Sequence, residues 1–137
     1  MAKVFLAGVA RRPADWVLEE ALRASVEATT DFSWLARGDS VFIKPALNSG
    51  YSYPSTTSPQ GISVMVRLLK EKGAGRVVVG DMSGIEHVKL TPRKLSGSTR
   101  KLMEKCGMAD AILRSGAELH FFEEAGWNAF YEDYPAP

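Results

Sequence analysis

A chain of 137 residues, 45% hydrophobic and 24% charged, has the composition of one ordered globular domain and is long enough to bury a core. Its 17 Lys plus Arg against 16 Asp plus Glu leave a net charge of +1, which excludes a domain-wide basic field for gathering nucleic acid or an acidic membrane. The single cysteine, Cys106, excludes an internal disulfide and a cysteine-ligated zinc or iron–sulfur centre within these residues. No run approaches the roughly 18 apolar residues of a membrane span, so a cytoplasmic location is expected.

The N-terminal run Val4–Val9 is apolar and ends at Arg11, Arg12 and Pro13, which predicts a first, buried strand. The arginines follow the apolar stretch instead of preceding it, so the run does not read as a secretory signal. Pro13 suits the first turn of a helix. Trp16, Val17, Leu18, Ala21, Leu22, Ser25 and Val26 recur at helical spacing and predict an amphipathic helix over about 13–29. Gly38-Asp39 is a turn, and Val41-Phe42-Ile43 is a second strand stopped by Pro45.

A polar stretch from Ala46 to Thr57 leads to Ser58-Pro59, an N-cap followed by proline at the first helical position. Ile62, Met65, Val66, Leu68 and Leu69 give that helix its buried face, and Lys70, Lys72 and Gly73 close it. Val77-Val78-Val79, apolar on both faces, predicts a central parallel strand. A second polar stretch, Asp81 to Gly97, reaches Ser98, the cap of a helix holding Leu102, Met103 and Cys106, the last read as core. Gly107 breaks the helix, Ala109, Ile112 and Leu113 continue in a short one ended by Gly116, and Leu119, Phe121 and Phe122 suggest a last strand that includes a packed His120.

The resulting order, β-α-β-α-β-α-α-β, predicts an α/β fold: a three-layer sandwich with a mostly parallel sheet of about four strands joined by right-handed crossovers. Residues 1–125 form a single domain and 126–137 an aromatic, proline-rich tail. Trp127, Phe130, Tyr131 and Tyr134 lack a regular period. They are expected to dock on the sheet or to meet a missing C-terminal domain or partner chain of a longer protein.

In an open parallel sheet, ligands bind at the carboxyl ends of the strands, and both long polar stretches leave such ends. Lys44 stands where a strand ends, with Asn48 and Ser49 close behind; a lysine there neutralises a phosphate or carboxylate, whereas the alternative is a solvated lysine beside a turn. Thr56, Thr57 and Ser58 lie at a helix start, as do Ser96 to Arg100, where capping and anion binding draw on the same residue types. Asp81 ends the central strand and is followed by Ser83; it suits a ligand hydroxyl or a metal, or a loop cap. Asp81, Glu86 and His87 give a weaker reading as a metal-assisted hydrolase. Gly80-Asp81-Met82-Ser83-Gly84 is not the G-x-S-x-G elbow, and neither G-x-G-x-x-G nor G-x-x-x-x-G-K-[ST] occurs.

Val41-Phe42-Ile43-Lys44-Pro45, Tyr53-Pro54, Thr56-Thr57-Ser58-Pro59, and Gly73-Ala74 through Val77-Val78-Val79-Gly80-Asp81 together resemble the domain-of-unknown-function family 362. Ser98-Thr99-Arg100, Gly116-Ala117-Glu118 and the phenylalanine pair extend the resemblance, which covers about 40–125. The family usually shows lysine-proline-asparagine after this strand; here Ala46 takes the asparagine's place, with Asn48 two residues on. The resemblance implies a chain that belongs to a longer protein. Some members carry ferredoxin-like cysteine motifs; those cysteines are missing here, so no iron–sulfur cluster is expected in this chain. The family is also distantly similar to the N-terminal part of lactate-racemase-like proteins, which points toward small hydroxy-acid or carboxylate ligands.

The reading that follows is a module binding a small anionic molecule, phosphate or carboxylate, at Lys44, Asn48, Thr57, Asp81, Ser83 and Arg100, within a larger enzyme. Catalytic residues are not assigned, no resident metal is expected, and nucleic acid and membrane are not expected partners. The alternative is a non-catalytic interaction or assembly domain.

Overall fold

Apolar side chains on both faces of Val77-Val78-Val79 place that segment in the middle of a sheet, and the computed structural model, which describes residues 4–11 and 13–130, has it there. In chain order the elements are helix α1 (Asp15–Glu27), strand β1 (Ser40–Ile43), helix α2 (Pro59–Glu71), strand β2 (Arg76–Asp81), a hairpin of β3 (Lys89–Thr91) and β4 (Lys94–Ser96), helices α3 (Thr99–Lys105) and α4 (Met108–Arg114), and strand β5 (Glu118–Phe121). Two 3-10 turns, Phe122–Ala125 and Trp127–Ala129, follow.

The main sheet has the order β1-β2-β5, parallel throughout, with Val41 opposite Val77, Ile43 opposite Val79, and Asp81 opposite Phe121. Helices α2 and α4 cover one face of it. Val77, Val79 and Phe121 on that face meet Ile62, Val66, Leu69, Met108 and Ile112 in one buried core, with Met103 and Cys106 of the α3 region joining it. The ends of α2 follow from sequence: the Ser58 hydroxyl accepts from the Gly61 N–H at 3.2 Å, Pro59 opens the first turn, and Gly73 leaves at φ 115°. Ser98 caps α3 in the same way, accepting from the Lys101 N–H at 3.3 Å. Gly107, at φ 77°, separates α3 from α4.

The structure departs from the sequence reading in three places. Val4–Val9 is not a strand: it has no hydrogen-bonded neighbour among the described residues, and Val4 and Leu6 are 86% and 88% exposed. An apolar run supplies strand-forming side chains, but a strand also needs a partner, so the sheet has three strands and not four. Second, the helices gather on one face, and a second helical layer is not found among the described residues. Third, the polar stretch after β2 is not one long loop; it contains the β3–β4 hairpin, with Val88 buried at its base. In the tail, Trp127 and Phe130 are 43% and 45% exposed; Tyr131 and Tyr134 lie outside the described residues. No helix among the described residues is long and apolar enough to cross a membrane.

Helix α1 joins the rest mainly through charge. Arg23 holds Glu71 with two hydrogen bonds of 2.6 and 2.7 Å, Arg67 reaches Glu19 at 2.6 Å, and Lys72 reaches Glu27 at 2.7 Å. At the two ends of the sheet's strands, Arg76 pairs with Glu118 and Arg100 with Glu124. Hydrogen bonds from Arg67, Arg23, Arg76 and Arg100 hold the carboxyls of Glu19, Glu71, Glu118 and Glu124, respectively, below the ordinary glutamate value. A depressed carboxyl contributes stability that is complete above its unfolded pKa of about 4.3 and is lost as pH falls through its lower folded value. The urea midpoint is therefore expected to fall between about pH 5 and pH 3, and Glu71→Gln to flatten that slope; an unchanged slope in the variant removes the α1–α2 pair from the account.

Candidate functional site

Parallel pairing brings the carboxyl ends of β1, β2 and β5 to one edge of the sheet, and the chain leaves each of them on polar residues. Lys44 follows β1, and its Nζ lies 3.0 Å from Oδ1 of Asp81, the last residue of β2. The pair is asymmetric: the lysine side chain is 65% exposed and the aspartate 2%. Asp81 Oδ1 also accepts from the Met82 N–H at 2.9 Å, so the buried carboxylate has a fixed orientation and holds the ammonium at the surface above it.

The first loop is closed at its base. The Ala46 N–H donates to the Thr57 hydroxyl at 2.8 Å, and the Thr57 N–H returns to the Ala46 carbonyl at 3.0 Å. Leu47 is buried and anchors the same end, and the Thr56 hydroxyl donates to the Tyr51 carbonyl at 3.0 Å. Thr57 thus clamps the loop, and Asn48, one residue past the Leu47 anchor, is exposed.

The second loop is tied down by a buried polar cluster. The Ser83 N–H donates to the Thr99 hydroxyl at 2.9 Å, and the Thr99 N–H donates to Glu123 Oε1 at 2.7 Å. Asp81, Ser83, Thr99 and Glu123 are all nearly inaccessible, and the Ser83 hydroxyl and Glu123 Oε2 have no hydrogen-bond partner among the described residues. Ser83 follows β2 by two residues and Glu123 lies in the 3-10 turn that follows β5, and Thr99, the first residue of α3, bridges them. Arg100 points elsewhere: it grips Glu124 with bonds of 2.8 and 2.7 Å and lies 4.5 Å above the Phe121 ring.

Of the six residues expected to line a site, Lys44 and Asp81 touch, Asn48 is exposed close along the chain, and Ser83 is buried beside them in sequence. Thr57 and Arg100 are committed to the loop base and to Glu124. Glu86 and His87 are exposed in the turn closed by the Gly84 carbonyl, and among the described residues no three His, Cys, Asp or Glu side chains converge as metal ligands. The hydrolase grouping of Asp81 with Glu86 and His87 is therefore not assembled.

A family model described as a domain of unknown function, DUF362, matches residues 41–134. The chain belongs to this family. No curated protein and no solved structure gives a match. The DUF362 match begins inside β1 and takes in Lys44, Asp81, Ser83, Thr99 and Glu123, while Val4–Val9 and α1 lie before it.

Within the DUF362 region, sequence reasoning takes Thr99 only as part of a helix start and misses Glu123. Phe121-Phe122-Glu123-Glu124 offers two adjacent glutamates, and only the 3-10 turn after β5 shows that one is buried and the other exposed. Glu123 supplies an acceptor to the first helical N–H of α3, a donor with no intrahelical partner. Glu123→Ala strands that donor and is expected to cost about 1–3 kcal/mol in urea unfolding, with Glu123→Gln much closer to wild type because an amide oxygen can still accept. Equal stability of the alanine variant would show the cluster to be dispensable.

Proposed function

We propose that this DUF362 chain is a ligand-binding α/β module of a larger enzyme, taking a small anionic molecule, a phosphate or a carboxylate, at the ends of β1 and β2. The observation that carries the reading is the asymmetry of the Lys44–Asp81 pair. An ammonium has three N–H donors. One serves Asp81 at 3.0 Å and a second leans on the Pro45 carbonyl at 3.4 Å, so a charged donor remains directed to solvent. The buried partner fixes the lysine's position before a ligand arrives, which lowers the ordering cost of binding. Asp81 also cancels much of the lysine's long-range field, so recognition rests on a short charge-assisted hydrogen bond with Asn48 alongside. Thr57 and Arg100 support this site by shaping the loop and the β5 edge.

Amide chemical shifts followed during titration with phosphate, a nucleotide, lactate and Mg²⁺ test this. Shifts confined to 44–58 and 81–100 in the presence of an anion are expected, and Lys44→Ala is expected to weaken that binding by about 10-fold or more, the worth of one charge-assisted bond. Unchanged affinity in Lys44→Ala, or a silent panel, would sink the anion site.

A second reading, an interaction or assembly domain, is favoured by the sheet's other face. Phe42, Val78, His120 and Phe122 line a shallow depression there, with Phe42 47% and Phe122 37% exposed. The rings already stack on one another, Phe42 to Phe122 at 5.6 Å and His120 to Phe122 at 4.9 Å between centroids. Parallel sheets are ordinarily covered on both faces, so this face suits a helical layer from another domain or chain. Concentration-dependent association in sedimentation, abolished by Phe42→Ser with Phe122→Ser, is the result expected on this reading; a monomer at every concentration counts against it.

A further inference from the structure

The amphipathic pattern of α1 is only partly used, with Val26 packed against the core. Val17, Leu18, Ala21, Leu22 and Val26 are only half-buried, and α1 contributes no buried residue, although it packs along α2 and is fastened there by three ion-pair connections. A helix beside α2, on the helical side of a parallel sheet, ordinarily lies over a strand. Here the sheet ends at β1, whose second edge has no partner strand among the described residues. The same chain holds an apolar segment with nothing to cover it: Val4, Phe5, Leu6 and Val9 are 86%, 44%, 88% and 42% exposed.

Topology says where such a segment fits. The steps from β1 through α2 to β2, and from β2 through α4 to β5, run in one direction across the sheet with their helices on one face. A crossover of the same hand from 4–9 through α1 to β1, with α1 on that same face, steps in that same direction. It places the segment against the free edge of β1. The connection Ala10–Ala14 falls within the roughly two to six residues usual between a strand and the following helix.

We propose that the free edge of β1 is a docking site for Val4–Val9 of the same chain, which pairs there as a parallel strand beneath α1. The docked segment turns alternate side chains toward Val17, Leu18 and Leu22 on one side and extends the Phe42–Phe122 face on the other. That accounts for a run apolar at every position, as a strand covered on both sides requires. It also closes the exposed edge of β1, where a row of unpaired backbone groups otherwise invites pairing with another chain. The short connection makes closure within one chain entropically inexpensive compared with recruitment of a second copy.

Amide hydrogen exchange on the unmodified chain, with NOE contacts, tests this without relying on a variant that folds. Amides of residues 5–8, and those of β1 that face away from β2, are expected to exchange at least ~100-fold more slowly than unstructured chain, with Hα–HN contacts between 4–9 and 40–43. Leu6→Asp is expected to lower protection in both segments together by ~10-fold or more while β2 and β5 keep theirs. Exchange of 5–8 at unstructured rates overturns the proposal. So do contacts found only between differently labelled chains in a mixed sample, since the occupant is then a second copy.

Discussion

The parallel hydrogen-bonded ladder through β2 is the constraint on which the rest depends. It runs β1 and β5 in the same direction as β2, so that Lys44, Asp81 and Glu123 come at the same end of the sheet from segments far apart in sequence. Gly80 shows how tightly the ladder is drawn. A Cβ at that position would stand 2.4 Å from the His120 carbonyl oxygen and 3.0 Å from the Phe42 ring. A side chain there forces either β5 or Phe42 to move, and both define the site: β5 carries the chain into Glu123, and Phe42 is two residues before Lys44. The identity of one small residue in the middle strand therefore reaches the polar edge through backbone spacing, without any contact to the charged groups.

At that edge almost every charge is already answered within the chain. Lys44 has Asp81, Arg100 has Glu124, and Arg76, at the opposite end of the strands, has Glu118. These pairs differ in what they leave over. Arg100 spends its planar fork on a bidentate grip and its face on Phe121, and Arg76 spends its fork on Glu118. Lys44 is a point charge with one strong partner that is itself buried. Burying the acid and exposing the base keeps the base available, whereas the reverse arrangement would hide it. Among the described residues, two buried side-chain atoms lack a hydrogen-bond partner, the Ser83 hydroxyl and Glu123 Oε2. They belong to the tether between the β2 loop, α3 and the segment after β5.

How much of this was legible in the sequence depends on the range of the interaction involved. Ser58, Ser98, Gly73 and Gly107 act within a turn of where they stand, so the helix ends could be read directly. The placement of Val77–Val79 at the centre was legible too, because an unbroken apolar run suits a strand flanked on both sides. Val4–Val9 carries the same mark, yet it is not a strand in the structure: pattern reports what a segment is suited to, and pairing is a property of two segments. The α/β class and the polar edge were likewise readable from alternation of elements and loop length. What was hidden is non-local. The Thr57 hydroxyl accepts from the Ala46 N–H, eleven positions back, a contact that no local pattern marks. Glu123 differs from Glu124 only through the 3-10 turn after β5, which buries one and exposes the other.

The remaining tension is between a polar edge that is nearly self-satisfied and an aromatic face that is not covered. In energetic terms the two are unequal. A preformed ion pair loses little by staying in water, whereas a stacked group of rings that stays wet forgoes roughly 25 cal/mol for each Å² left uncovered. The stronger pull for association therefore comes from the Phe42–His120–Phe122 face, and the more selective chemistry from Lys44. These are not competing accounts of one surface, since they lie on different parts of β1: Phe42 turns to the face and Lys44 leaves by the end. A layer seated on the face would bear on Phe42, and through it on the last residues of β1 that aim Lys44. On the proposed reading, coverage of the sheet and orientation of the lysine are in this way mechanically joined, so that a layer seated on the aromatic face bears on the geometry of the polar edge.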